Sequence, residues 1–125
     1  MPKKQIIGRG PIGLPFCEGV LVGDTLYLSG AIGFDRETGR VVEGGIAAET
    51  RKAIGNLKET LAKAGMDLED VVKVTVYLRS MEDYQAFNEV YAQYFPKDPP
   101  ARETVAVSGL ALGAAIELSF IAVKQ

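Results

Sequence analysis

Apolar and polar residues alternate along the first third of the chain, and turn residues interrupt them at short intervals, which is the pattern of short strands. Strands are predicted over residues 4–8, 19–22 and 25–29, with Gly23-Asp24 as a hairpin turn between the last two. A turn-rich loop follows, Asp35-Arg36-Glu37-Thr38-Gly39, and beyond Gly44-Gly45 the period becomes helical. Ile46, Thr50, Ala53, Ile54, Leu57, Leu61 and Ala64 fall on one stripe, which predicts a helix over 46–64 that stops at Gly65. Residues 71–78 alternate again as a strand. Ser80 then opens a second helix, spaced from Asp83 as a capping pair. Its buried stripe is Tyr84, Phe87, Val90, Tyr91, Tyr94 and Phe95, and Pro96, Pro99 and Pro100 forbid its continuation. Strands over 102–107 and 115–123 close the chain.

The order β-β-β-α-β-α-β-β predicts an α/β (α+β) fold, one domain over residues 1–125, with right-handed crossovers placing both helices on one face of a mixed sheet. Leu26, Leu28, Val72, Val74, Val76, Ile116, Leu118 and Phe120 are expected to face the helices. The opposite parity holds Thr25, Tyr27 and Ser29, then Lys73, Thr75 and Tyr77, then Arg102, Thr104, Ala106 and Ser108, then Glu117, Ser119, Ile121 and Val123. That face is too apolar for solvent and too polar for a core, so an oligomer with a site on its interface side is expected.

Composition narrows the chemistry. The chain has 125 residues, 47% hydrophobic and 24% charged, with a net charge of −2, which suits an ordinary soluble protein and offers nucleic acid or an anionic membrane no attraction. No apolar run approaches the roughly 20 residues of a membrane helix, and no secretory signal is evident, so a cytoplasmic location is expected. There is no His, which removes Ser-His and Cys-His pairs, and the single Cys17 leaves few routes to a zinc site. Catalysis would have to run on carboxylate, Arg, Lys, Tyr, hydroxyls, backbone and water.

Against that background two residues stand out. Glu117 sits among branched apolar residues of a strand, where an unpaired carboxylate costs several kcal/mol, and Arg102 is its leading candidate partner. Pro99-Pro100-Ala101 holds the chain extended ahead of Arg102, whose planar fork can grip a small carboxylate at two points. The bland alternative makes Arg102 a structural partner of Glu117 or a rim charge, and Glu117 a satisfied interface carboxylate. Glu117 could instead hold or deprotonate a water. Ser29-Gly30-Ala31 ends a strand where backbone can approach an anion, or is an ordinary strand end. Gly8-Arg9-Gly10-Pro11-Ile12-Gly13 matches a dinucleotide fingerprint in letters alone, because Pro11 and Pro15 prevent the helix it needs. Cys17 reads as a small buried or interface residue, with a nucleophile as the alternative that no His is present to activate, and Asn88 as a polar exception in the aromatic stripe that needs partners. The stripe itself reads as helix core, with a pocket wall as the functional alternative.

Leu28-Ser29-Gly30-Ala31-Ile32-Gly33, Asn56-Leu57, Asp70-Val71-Val72-Lys73-Val74-Thr75-Val76, Phe87-Asn88-Glu89-Val90-Tyr91, Pro100-Ala101-Arg102 and Ile116-Glu117-Leu118 recur in this order in a known family. Through them the chain resembles the RidA (YjgF/YER057c/UK114) family across nearly its whole length. The resemblance implies a chorismate-mutase-like fold, a homotrimer with clefts between subunits, and 2-iminobutanoate/2-iminopropanoate deaminase activity without a cofactor or metal, its partner a small 2-imino or 2-keto acid. It further implies that Arg102 binds the substrate carboxylate and Glu117 handles the water. Ser29, Gly30, Ala31, Phe16, Asn88 and Thr104 are then expected to line the cleft. Two departures bear on substrate preference: Phe16 stands where the family commonly has Tyr, and Thr104 where it often has Cys.

Overall fold

The computed structural model describes residues 2–125. Strands β1 (Gln5–Arg9), β2 (Cys17–Val22) and β3 (Thr25–Leu28) form an antiparallel meander, and Gly23 adopts φ 60° at the predicted hairpin turn. The turn-rich loop holds a small ladder, β4 (Phe34–Asp35) against β5 (Arg40–Val41), which was not expected from the sequence. Strands this short carry no readable period. Then come α1 (Gly45–Lys63), β6 (Val71–Leu78), α2 (Tyr84–Tyr94), β7 (Ala101–Ala106) and β8 (Ile116–Val123). One six-stranded sheet runs β1-β2-β3-β8-β6-β7, antiparallel throughout except for the parallel pair β6 and β7. The expected mixed sheet with two helices on one face is therefore present. No helix among the described residues is long and apolar enough to cross a membrane.

The core lies between the sheet and the two helices. Ala53, Ile54, Leu57 and Leu61 of α1 and Phe87 and Tyr91 of α2 pack on Leu26, Leu28, Val74, Val76, Ile116, Leu118 and Phe120. Burial of each large side chain such as Phe87 or Phe120 stabilises the fold by about 1.5–3 kcal/mol. Helix α1 ends as expected, with Gly65 at φ 72° after Ala64. Its buried face also carries two polar residues that lie outside the apolar stripe. Glu49 Oε1 accepts a hydrogen bond from the Ala115 backbone N–H at 2.8 Å, and Thr60 Oγ1 donates to Glu18 Oε1 at 3.0 Å. The helix is thereby tied to the entry of β8 and to β2. Before α2 the chain makes a short 3-10 turn over Met81–Asp83, where Ser80 Oγ accepts from the Glu82 N–H at 3.1 Å.

Five side-chain directions correct the strand and helix parities. Val72 points away from the helices and is exposed, because a bulge between Val71 and Lys73 turns Val71 inward in its place. Tyr84 is exposed as the first residue of α2, beyond the reach of the core. Parallel pairing sets Arg102 beside Val74, Thr104 beside Val76 and Ala106 beside Leu78, all on the helix side. Ala101, Glu103 and Val105 take the open side instead, where Glu103 pairs with Lys73 at 2.8 Å. The expected grouping of Arg102, Thr104 and Ala106 with Glu117 on the open face is thus incorrect. Residue 108 lies beyond the end of β7.

Glu49→Ala is expected to leave the Ala115 N–H buried without a partner and to lower stability by about 1–3 kcal/mol. Urea unfolding checks this, with an unchanged midpoint contradicting the tie between α1 and β8 and Glu49→Gln, which keeps an acceptor, expected to lose less.

Candidate active site

Glu117 is the second residue of β8 and lies opposite Tyr77 of β6 on the open face. Beyond β3 the chain leaves the ladder at Ser29 and Gly30 and rejoins β8 at Ala31, whose N–H donates to Leu118 O at 2.7 Å and whose carbonyl accepts from Leu118 N–H at 2.9 Å. This detour carries the backbone of Gly30 against the Glu117 side chain. A Cβ at residue 30 would run into the Glu117 carboxylate, so any larger residue there would displace that side chain. Ser29 is held in place as well: its N–H donates to Glu18 O at 2.9 Å and its hydroxyl to Cys17 O at 2.7 Å. Phe16, exposed, immediately precedes that Cys17 carbonyl in the chain.

Glu117 makes no hydrogen bond or ion pair through its carboxylate among the described residues. Partial burial pushes its pKa above the ordinary carboxylate value. A carboxyl group raised in this way, half exposed and free of structural partners, can take a proton from water and return it to a leaving group.

Arg102 stands apart from this group. Its guanidinium is surrounded by α2: the central carbon lies 5.7 Å from the ring centroid of Tyr84, 5.3 Å from Phe87 and 4.9 Å from Tyr91. Nη2 donates to Tyr84 Oη at 3.2 Å, and no carboxylate among the described residues pairs with it. Among the described residues three buried hydroxyls on the helix side lack partners, Thr50 Oγ1 of α1, Tyr91 Oη of α2 and Thr104 Oγ1 of β7, and the last two belong to the elements that hold Arg102. Burial pushes the Tyr91 phenol up to about 12, with the Arg102 charge acting in the opposite direction, so the phenol stays protonated. Asn88, half-buried beside Phe87 in the sequence, makes no side-chain hydrogen bond among the described residues, contrary to the need for partners read from the sequence.

The expected site residues therefore fall into two groups. Phe16, Ser29, Gly30, Ala31 and Glu117 are linked through the ends of β2, β3 and β8, whereas Arg102 and Thr104 of β7 face the helix side, where α2 carries Asn88. Three residues of strand and two strand spacings separate the backbones of Arg102 and Glu117, about 14 Å at the usual strand rise and spacing. The sheet itself stands between their side chains, so Arg102 is not the partner of Glu117 within one chain. Two surface cavities, of about 410 and 310 Å³, are lined by other residues. The aromatic surroundings of Arg102 were legible as a stripe in α2, but an edge strand gives no signal of which side its arginine takes.

The model of the endoribonuclease L-PSP family matches residues 11–124. A RutC family protein of Saccharolobus solfataricus is 49% identical over 115 residues, covering 92% of this chain and 90% of that one. The human 2-iminobutanoate/2-iminopropanoate deaminase is 43% identical over 115 residues, covering 92% of this chain and 83% of its own length. Among solved structures, E. coli TdcF with bound serine superposes with a TM-score of 0.89 at 31% identity, covering 98% of this chain and 100% of that one.

The raised pKa of Glu117 has a consequence for stability. Between the unfolded and folded pKa values the native protein keeps a proton that the unfolded chain has lost, so stability falls as pH rises through that interval. Glu117→Gln, which cannot ionise, is expected to be more stable than the parent at pH 7 and to lose that advantage below about pH 4. Urea midpoints at the two pH values test this; an advantage of equal size at both would contradict the shift.

Proposed function

The chain belongs to the RidA family, the endoribonuclease L-PSP family by its matching model, and on that premise we propose that it hydrolyses reactive 2-enamine and 2-imino acids to 2-keto acids and ammonia. The human relative that carries this activity in its name supports the choice of reaction. The observation that carries the reading is the Arg102 guanidinium, half-buried against three aromatic rings with no carboxylate among the described residues to neutralise it. Such a cation suits the carboxylate of a small acid, and the serine bound to TdcF is a ligand of that class.

In this mechanism Arg102 holds the substrate carboxylate and Glu117 takes a proton from water as its oxygen bonds to the imine carbon. The imine nitrogen, protonated from solvent, becomes the amine of a carbinolamine. Glu117 then returns its proton as the C–N bond breaks, and the hydroxyl proton passes to solvent, leaving a keto acid and ammonia. An imine carbon beside a carboxylate is already electrophilic, so orientation supplies much of the catalysis. Ser29, Gly30, Ala31, Phe16, Asn88 and Thr104 are proposed to line the cleft.

Arg102 and Glu117 cannot meet within one chain, so the site is proposed to form between copies, in a homotrimer. The exposed apolar side chains of the open face, Ile6, Tyr27 and Val105, support burial of that face in an assembly. A second reading, a trimer that binds small carboxylates without chemistry, is favoured by the TdcF ligand alone. Endoribonuclease activity, carried in the name of the family model, has no support in a net charge of −2.

The direct test generates 2-aminoacrylate or 2-aminocrotonate with a pyridoxal-phosphate dehydratase and follows imine loss with and without the protein. Acceleration is expected, and its absence with both substrates would reject the deaminase. Arg102→Lys should reduce kcat/KM roughly 10- to 100-fold, since an ammonium cannot reproduce a two-point grip; turnover near that of the parent would remove the clamp. Separately inactive Arg102→Ala and Glu117→Gln chains, unfolded together and refolded at equal ratio, should recover about a quarter of the parent activity if each site takes one residue from each of two copies. No recovery beyond the two homogeneous samples would place both residues in one copy.

A further inference from the structure

We propose that Tyr84 is the positioning residue that sets the orientation of the Arg102 fork for carboxylate capture, an inference that rests on the clamp role given to Arg102 above. Of the three rings around the guanidinium, Phe87 and Tyr91 are buried, whereas Tyr84 is 39% exposed. Tyr84 therefore forms the outer wall of this aromatic group in the single chain. It also supplies the only side-chain hydrogen bond that Arg102 makes among the described residues, from Nη2 to Tyr84 Oη at 3.2 Å.

These two contacts constrain the guanidinium differently. Attraction to a ring face is electrostatic and leaves the cation free to turn in front of the ring. A hydrogen bond to one named nitrogen removes that freedom, because the five N–H groups of a guanidinium are fixed in one plane. With one of them committed to Tyr84, the others keep a single orientation, which a two-point grip on a carboxylate requires. Among the described residues no acidic side chain performs this service for Arg102. That suits a binding site, since a carboxylate in the same place would compete with the ligand while a neutral phenol oxygen does not.

The experiment compares the full chain with its Tyr84→Phe variant, which keeps the ring and removes only the hydroxyl. Calorimetry with 2-oxobutanoate reads binding independently of turnover, and in situ 2-iminobutanoate reads KM and kcat. Loss of one hydrogen bond to a charged group is expected to raise both Kd and KM about fivefold while kcat stays within about twofold. The thermal midpoint should stay where it is, since Tyr84 contributes little to the core. In an Arg102→Lys background, read by ligand-observed NMR, Tyr84→Phe should have no further effect, because its action passes through the guanidinium. Binding and KM equal to the parent would overturn the proposal, as would a loss that persists undiminished in the Arg102→Lys background. Saturable 2-oxobutanoate binding without turnover would reject the deaminase and leave the Tyr84 inference to be decided by Kd alone. No saturable binding to the parent would overturn the clamp and this inference together.

Discussion

The parallel pairing of β7 onto β6 decides which way the chemistry of this protein faces. Aligned residues of neighbouring strands share a face, so Arg102 beside Val74 must follow Val74 toward the helices, and Glu117 beside Tyr77 must follow Tyr77 away from them. A slip of one residue in either register would exchange these sides for every residue of the strand. Val74, Val76 and Leu78 are fully buried, so the core fixes which way β6 faces, and β7 takes its sides from the β6 residues it is aligned with. Core packing in the central strand thereby determines the position of a polar group on the edge strand, and through it the separation of the two candidate catalytic charges.

That separation leaves both charges without the partner that ordinarily offsets burial. Glu117 responds by titrating at higher pH, and Gly30 lets its carboxylate rest against backbone that no side chain obstructs. Arg102 is accommodated by its surroundings, with three aromatic faces and a phenol oxygen in place of an anion. Each aromatic contact contributes about 0.5–2 kcal/mol, less than desolvation of a guanidinium costs, so Arg102 is tolerated near the rim of an edge strand and would be poorly placed deeper. Contrast Glu18, whose carboxylate accepts from Thr60 and pairs with Lys63 at 2.9 Å and with Arg36 at 3.6 Å. Its charge is satisfied inside the chain, and it carries no feature of a binding site.

Much of the fold was legible because its long elements have strong periods. Both helices and the long strands β6 and β8 lie within a few residues of their predicted ranges, and Gly65 ends α1 for the reason read from the sequence. The ladder of β4 and β5, the bulge at Val72 and the burial of Glu49 and Thr60 were not legible, since each depends on a neighbour distant in sequence. The site was legible as a set of residues and illegible as a geometry. In β7 neither parity is clearly apolar, Arg102, Thr104 and Ala106 on one side and Glu103 and Val105 on the other, so polarity alone could not assign the faces. Matching an acid to the nearest unpaired base is sound for a buried pair, but it assumes that both look into one space.

The same geometry explains how a site of opposite charges could remain open. Were Arg102 and Glu117 to face each other in one chain, their attraction would close the gap and a ligand carboxylate would have to displace Glu117 to reach the guanidinium. Separate faces prevent that collapse during folding. In the proposed assembly the two approach only as rigid parts of different copies, one fixed by the α2 rings and the other by the Gly30 backbone. The Tyr91 phenol stays neutral beside the cation, so the Arg102 group meets an incoming carboxylate with its full charge. Once that charge is neutralised by the ligand, Glu117 is free to exchange a proton with water instead of forming an ion pair. In the proposed reaction, keeping the charges apart within the chain is thus what lets Arg102 serve binding while Glu117 serves the chemistry.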